Sequence, residues 1–336
     1  MGGLLDLVLI WTVIIAVSVF LYVLLDGFDL GVGILYGFAD EHDKTMVMNA
    51  IAPIWDGNET WLILGGVALL SVFPLAFAII IPAVYFPVLI MLLALVFRGV
   101  AFEFRFKQPW ISRIWAQGFC YGSGIATFAQ GAVLGAFIQG FTVRGREFVG
   151  GSWDWLTPFS ITTGIALMFG YALLGAGWLV IKTEGELQLW ARRMGGRALA
   201  GTVAAIVLVS LWTPSTDPDI MRRWFSWPNA LILSPVPLAT AAICWFGWTG
   251  VKGSGGDNRI FLSGLGLFLT SYLGIAISLW PMIVPHRYSL WQASSSPDTQ
   301  AFLLIGTLFL LPVILFYTAW SYWVFRGKLK AGVGYH

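Results

Sequence analysis

The stretch Leu24-Leu25-Asp26-Gly27-Phe28-Asp29-Leu30-Gly31-Val32-Gly33 sets two carboxylates inside an apolar run, and Asp26 ends 19 uncharged residues, 7–25. A run of that length is what an α-helix needs to cross a bilayer, about 20 residues. A carboxylate at membrane depth costs roughly 2.5–3.5 kcal/mol on insertion scales, so acids there face a protein interior and mark a working site. Spaced i and i+3, Asp26 and Asp29 share one face of that helix.

The remaining sequence agrees with a membrane setting. Apolar residues make up 58% of the 336-residue chain and charged residues 11%, with a mean hydropathy of +0.81. Those values lie outside the range of soluble domains and define an all-α polytopic membrane protein. A formal charge of +2 gives no basis for nucleic-acid binding. The two cysteines, Cys120 and Cys244, lie in apolar runs and read as packing residues rather than a disulfide framework or metal site. The first apolar segment is flanked by Asp6 rather than by basic residues and has no small-residue cleavage site after it, so it reads as a retained span.

Uncharged runs cover residues 7–25, 60–97, 114–143, 155–181, 198–216, 224–251, 260–285 and 299–325. The second run is too long for one span. It reads as two with a turn between Pro74 and Pro82 and with charged flanks drawn into the membrane zone, which makes nine transmembrane helices. With the N-terminus outside, 14 lysines and arginines fall in inner segments and 5 in outer ones. The positive-inside rule therefore predicts an outside N-terminus and a cytoplasmic C-terminus. Tryptophans near the span ends, such as Trp153, Trp224 and Trp291, read as interfacial anchors.

A weak internal repeat aligns Tyr22-Val-Leu-Leu-Asp-Gly-Phe-Asp-Leu30 with Tyr171-Ala-Leu-Leu-Gly-Ala-Gly-Trp-Leu179. It predicts two four-helix units in parallel repeat, residues 1–143 and 144–285, followed by a ninth helix and tail at 286–336. Chance similarity of two leucine-rich segments is the other reading. In the second copy Gly175 and Trp178 replace both acids, which confines polar function to the first unit.

With this orientation Asp26 and Asp29 lie in the cytoplasmic half of the first span. Asp56 and Glu59 open the second, and Arg98 and Glu103 close the third. Five carboxylates and an arginine then meet on one side, either as an ion network that holds the fold or as a route for protons or ions. Asp56-Gly-Asn-Glu59 also has the spacing of a helix N-cap with an acid at N3, a structural role for Asn58 and Glu59. Arg98 reads as the counter-charge to one or more acids, because an unpaired buried acid would protonate. Asp26, Asp29, Asp56, Arg98 and Glu103 are the candidate proton-pathway residues. The three histidines, His42, His286 and His336, fall outside the spans, so no intramembrane imidazole is available for haem iron, and no metal-binding or catalytic motif appears.

Asp26-Gly-Phe-Asp29-Leu-Gly-Val-Gly33, Ala52 to Leu62 around Trp-Asp-Gly-Asn, and Phe97-Arg98 through Phe104-Arg105 resemble subunit II of the cytochrome bd-type quinol oxidases, including the cyanide-insensitive branch. The motifs cover the first third of the chain; beyond Arg113 span count, orientation and length agree. The resemblance implies a haem-free subunit of the bacterial cytoplasmic membrane, paired with a haem-bearing subunit I that carries haem b and haem d. That complex oxidises quinol and reduces dioxygen to water, in some members with small single-span accessory subunits. It also implies a lipid or quinone held in a cavity of some members, and acidic residues that contribute to a proton route from the cytoplasm. Two other classes fit the residues alone: an ion-coupled secondary transporter, and a purely structural membrane subunit.

Overall fold

The computed structural model describes residues 6–104 and 112–329; Arg105, Lys107, Lys330 and His336, which enter the arguments above, lie outside the described residues. The run that ends at Asp26 does not end the helix. Helix α1 (Leu7–Tyr36) continues through both carboxylates. Asp6 caps it, accepting the backbone N–H groups of Val8 and Leu9 at 2.9 and 3.3 Å and the indole N–H of Trp291 at 2.9 Å. These bonds, the indole first, hold the Asp6 carboxyl below its ordinary range, and a negative charge there complements the helix dipole.

After the short α2 (Lys44–Asn49) come α3 (Trp55–Val72), α4 (Pro74–Ala83) and α5 (Tyr85–Phe104). The turn expected between Pro74 and Pro82 is not there: that stretch is helix α4, with Pro82 inside it, and the long run of residues 60–97 is broken just before and just after it instead. Phe73, at φ −122° and ψ 60°, is kept from the helical region by Pro74, which then opens α4 at its first position. Val84 breaks the second junction at φ −115° and ψ 25°, where Pro87 in the first turn of α5 cannot continue a preceding helix. Helix α3 extends beyond the run to take in Asp56, Asn58 and Glu59, and α5 to take in Arg98 and Glu103.

The chain goes on through α6 (Ser112–Gln139), the antiparallel hairpin β1 (Val143–Arg144) and β2 (Glu147–Phe148), and α7 (Pro158–Lys182), which a Thr157/Ser160 capping box opens. Next are α8 (Gly185–Thr216), α9 (Pro218–Phe225), α10 (Asn229–Leu233), α11 (Pro235–Val251) and α12 (Arg259–Leu279). A second hairpin, β3 (Met282–Val284) with β4 (Tyr288–Ser289), precedes α13 (Leu290–Ala293) and α14 (Pro297–Val324). Among the described residues eight helical stretches are long and apolar enough to cross a membrane: α1, α5, α6, α7, α8, the run from α10 through α11, α12 and α14. The polar residues in the first two turns of α3 leave it outside that set.

Helix α1 is the hub, packed against α3, α6 and α7; α5 lies on α6, α7 on α8 and α12, and α11 on α12. Its crossing with α7 brings backbone to backbone. A Cβ on Gly31 would stand 1.8 Å from the Tyr171 carbonyl oxygen, and one on Gly175 would stand 2.4 Å from the Gly31 carbonyl carbon. Small residues permit that approach between membrane helices. As a result residues 26–33 of α1 are all buried, and Phe28 stacks on Trp178 of α7 at 4.5 Å between ring centroids.

Candidate functional site

Asp26 and Asp29 are wholly buried, and Arg98 and Asn58 are each 1% exposed. Arg98 sits three-quarters of the way along α5, where Nη1 donates to Asp26 Oδ1 at 3.0 Å. Its guanidinium also lies 5.8 Å from the Trp55 ring centroid, a contact that suits a planar cation. Asn58, one turn into α3, donates from Nδ2 to Asp29 Oδ2 at 2.7 Å and to the Leu25 carbonyl oxygen at 3.3 Å. The Tyr322 hydroxyl of α14 donates to Asn58 Oδ1 at 2.9 Å.

The cluster holds two carboxylates for one guanidinium. Asp26 Oδ2, Asp29 Oδ1, Arg98 Nε and Arg98 Nη2 are buried with no hydrogen-bond partner among the described residues. A buried network that only holds a fold gains most when every member is satisfied; this one is not. A second polar chain leads away from Asp26. Tyr22, one turn earlier and in electrostatic contact with the Asp26 carboxylate, accepts from Gln130 Nε2 at 2.7 Å. Tyr171 of α7 donates to Gln130 Oε1 at 2.9 Å. The two tyrosines that open the aligned segments thus meet on one glutamine of α6.

Of the expected residues, Asp26, Asp29, Arg98 and Asn58 come together. Glu59 is half-buried at the edge and acts electrostatically on Asp26 and Arg98. Asp56 is exposed in the first turn of α3, and Glu103 is exposed at the end of α5. The capping arrangement expected for residues 56–59 does not form. Helix α3 starts at Trp55 with Ile54 at its N-cap and without a side-chain cap, because the turn before it already feeds the ladder, Asn58 N–H donating to Ile54 O at 3.2 Å. Asp56 still meets the positive end of the dipole. Asn58 is a contact of Asp29, not a cap. Tyr22, Gln130, Tyr171 and Tyr322 escaped the sequence reading because neutral polar residues leave no gap in hydropathy; the tyrosines heading the repeat were the signal that could have found two of them.

A separate network lies at the α11–α12 connection. Asp257 accepts from Arg192 Nη2 at 2.5 Å, Lys328 Nζ at 2.8 Å and Gln188 Nε2 at 3.0 Å, and the Lys328 bond foremost holds its carboxyl below the ordinary range. Lys182 donates to the carbonyls of Phe325 and Gly327 at 2.5 and 3.3 Å, which docks the segment after α14. Among the described residues His42 and His286 both lie outside the membrane-length helices. His42 is exposed beside Asp43, and His286 pairs with Asp217 in the β3–β4 hairpin.

The fold and the site define a class: a polytopic helical membrane protein whose central helix carries two buried acids, one of them paired with an arginine of a neighbouring helix. The sequence profile of the cytochrome bd terminal oxidase subunit II family matches residues 7–325, and the chain belongs to that family. Cytochrome bd ubiquinol oxidase subunit 2 of Bacillus subtilis (strain 168) is 30% identical over 337 residues, covering 96% of this chain and 96% of that protein. Cytochrome bd-I ubiquinol oxidase subunit 2 of Escherichia coli (strain K12) is 27% identical over 369 residues, covering 95% and 94%. In three dimensions the chain superposes on a chain of the bd oxidase from Geobacillus thermodenitrificans with a TM-score of 0.74 at 14% identity, over 96% of this chain and 99% of that one. That likeness is one of fold.

Proposed function

We propose that this chain is the haem-free second subunit of a bacterial cytochrome bd-type oxidase, which couples quinol oxidation to reduction of dioxygen to water. Its haem-bearing partner holds the redox centres, and this chain contributes a cytoplasmic proton route. Family membership supports the complex. The observation that carries the proton route is the surplus carboxylate: two fully buried acids share one guanidinium and keep polar atoms without protein partners. From exposed Asp56 through half-buried Glu59 to buried Asp26 and Asp29, the acids descend from surface to interior. Carboxylates held near one another in an apolar interior can pass protons. Protons taken from the cytoplasm for water, with quinol protons released outside, generate a proton-motive force without a pump.

The same reading places the N-terminus outside and the C-terminus in the cytoplasm of the inner membrane, with α3 as a ninth crossing. Two four-helix units, residues 1–143 and 144–285, are supported by matching helix pairs: α1 on α3 as α7 on α8, α5 on α6 as α11 on α12, and α1 on α6 as α7 on α12.

The test is oxygen consumption by the purified complex. Asp29→Asn and Asp56→Asn keep size and hydrogen bonding but cannot exchange a proton at neutral pH, so both slow turnover far more than Glu103→Gln, at unchanged haem content. If the acids only hold the fold, haem content and yield fall together with rate. Full assembly of both variants with wild-type turnover across the pH range would refute the route.

A further inference from the structure

We infer that Tyr322 on α14 is a positioning residue for Asp29, acting through the side-chain amide of Asn58. An amide offers an acceptor at one end and a donor at the other, and what grips the first decides what meets the second. The Tyr322 hydroxyl donates to Asn58 Oδ1, which turns Nδ2 onto Asp29 Oδ2 and the Leu25 carbonyl. The reverse orientation would set an amide oxygen against the carboxylate of Asp29 and leave the Leu25 carbonyl without this donor.

The hydroxyl can do this because its ring is fixed. Tyr322 packs edge-on against Phe28 and Trp178, with centroids 6.4 and 5.9 Å apart. Beside it a narrow cleft is lined by Ala50, Ile54, Trp178, Lys182, Tyr322 and Phe325, with room for about one water molecule. The chain therefore runs from a half-buried hydroxyl, through a buried amide, to a buried acid. The charged and titratable groups that face Asp29 are Asp26 on its own helix, Arg98 from α5, Glu59 from α3 and Tyr322 from α14. Tyr322 alone among these acts by orienting a neutral donor.

The inference deepens the proton-route reading and rests on it only for the effect on rate. In the complex purified with its partner subunit, the infrared carboxyl band that Asp29→Asn removes reports Asp29 directly. Tyr322→Phe keeps the ring and removes the hydroxyl. It is expected to move that band and to displace the pH profile of oxygen consumption by about half a unit or more, the scale of one hydrogen bond between neutral groups, with haem content unchanged. In an Asn58→Leu background the same substitution adds nothing, because the link is already cut. An unmoved band and profile in Tyr322→Phe, while Asp29→Asn slows turnover, overturns the inference and leaves the route standing. Wild-type turnover in Asp29→Asn refutes the route, and the band still decides the role of Tyr322. Should Tyr322→Phe lose haem, a fluorotyrosine at 322 retains ring and hydroxyl; an unmoved band there overturns the inference.

Discussion

Arg98 faces Asp26 in a volume with almost no solvent, and removing it leaves the acid without its counter-charge. Arg98→Leu is expected to destabilise the complex by about 3–5 kcal/mol, the usual result of breaking a buried pair from one side. Thermal unfolding in detergent and haem content per protein check this. Arg98→Lys keeps the charge but loses the planar group that reaches Asp26 and lies over Trp55, so it recovers only part of the loss. Asp26, Asp29 and Arg98 were legible in the sequence because a charge in an apolar run has a high cost and needs a reason. The partners that complete the site were not. Asn58 and Tyr322 lie 264 residues apart, and nothing in the chemistry of a lone tyrosine near the end of the last span says which amide it will meet.

At the scale of elements, the crossing of α1 and α7 has no room for a side chain. Gly31→Leu is expected to abolish assembly, because even its first carbon would overlap the Tyr171 carbonyl. Gly66→Ala in α3 meets nothing within 4 Å and is expected to be neutral or to stabilise by up to ~1 kcal/mol through helix propensity. Yield of haem-loaded complex from matched cultures separates the two. The helices themselves were largely legible as uncharged runs of span length, but proline was an uneven guide: Pro74 opens α4, whereas Pro82, Pro214 and Pro312 lie inside helices. What the sequence hid is the short helix α4 between the two breaks of the long apolar run, because hydropathy is unchanged across it. Asp56 and Glu59 were read at the start of the second span and Arg98 and Glu103 at the end of the third, and α3 and α5 do carry their hydrogen-bond ladders through them, since a charged side chain interrupts hydropathy without interrupting the backbone.

For the whole molecule, the distribution of basic residues predicts the sidedness of the chain. A cysteine at Lys328 should resist an impermeant reagent in intact cells while one at Arg146 is labelled; the reverse pattern would invert the orientation and move the acidic cluster to the other side. The segment after α14 adds a pH dependence. Lys328 holds the folded Asp257 carboxyl below its unfolded value of about 3.9. A depressed carboxyl contributes stability above the unfolded value and loses it as pH falls through the folded one. Docking of the tail is therefore expected to persist at neutral pH and to loosen in acid, and Asp257→Asn should loosen it at neutral pH but add little in acid, where the wild-type contribution is already lost, as protease cleavage after Lys328 would report. At this scale also, the contact of Gly31 with Gly175 works as a pinned joint. No rotamer stands between α1 and α7 there, so the helices cannot part without losing the contact. Asp29 and Asp26 lie two and five residues from that contact, about 3 and 7.5 Å along the helix axis, on the part of α1 that is held most closely to α7.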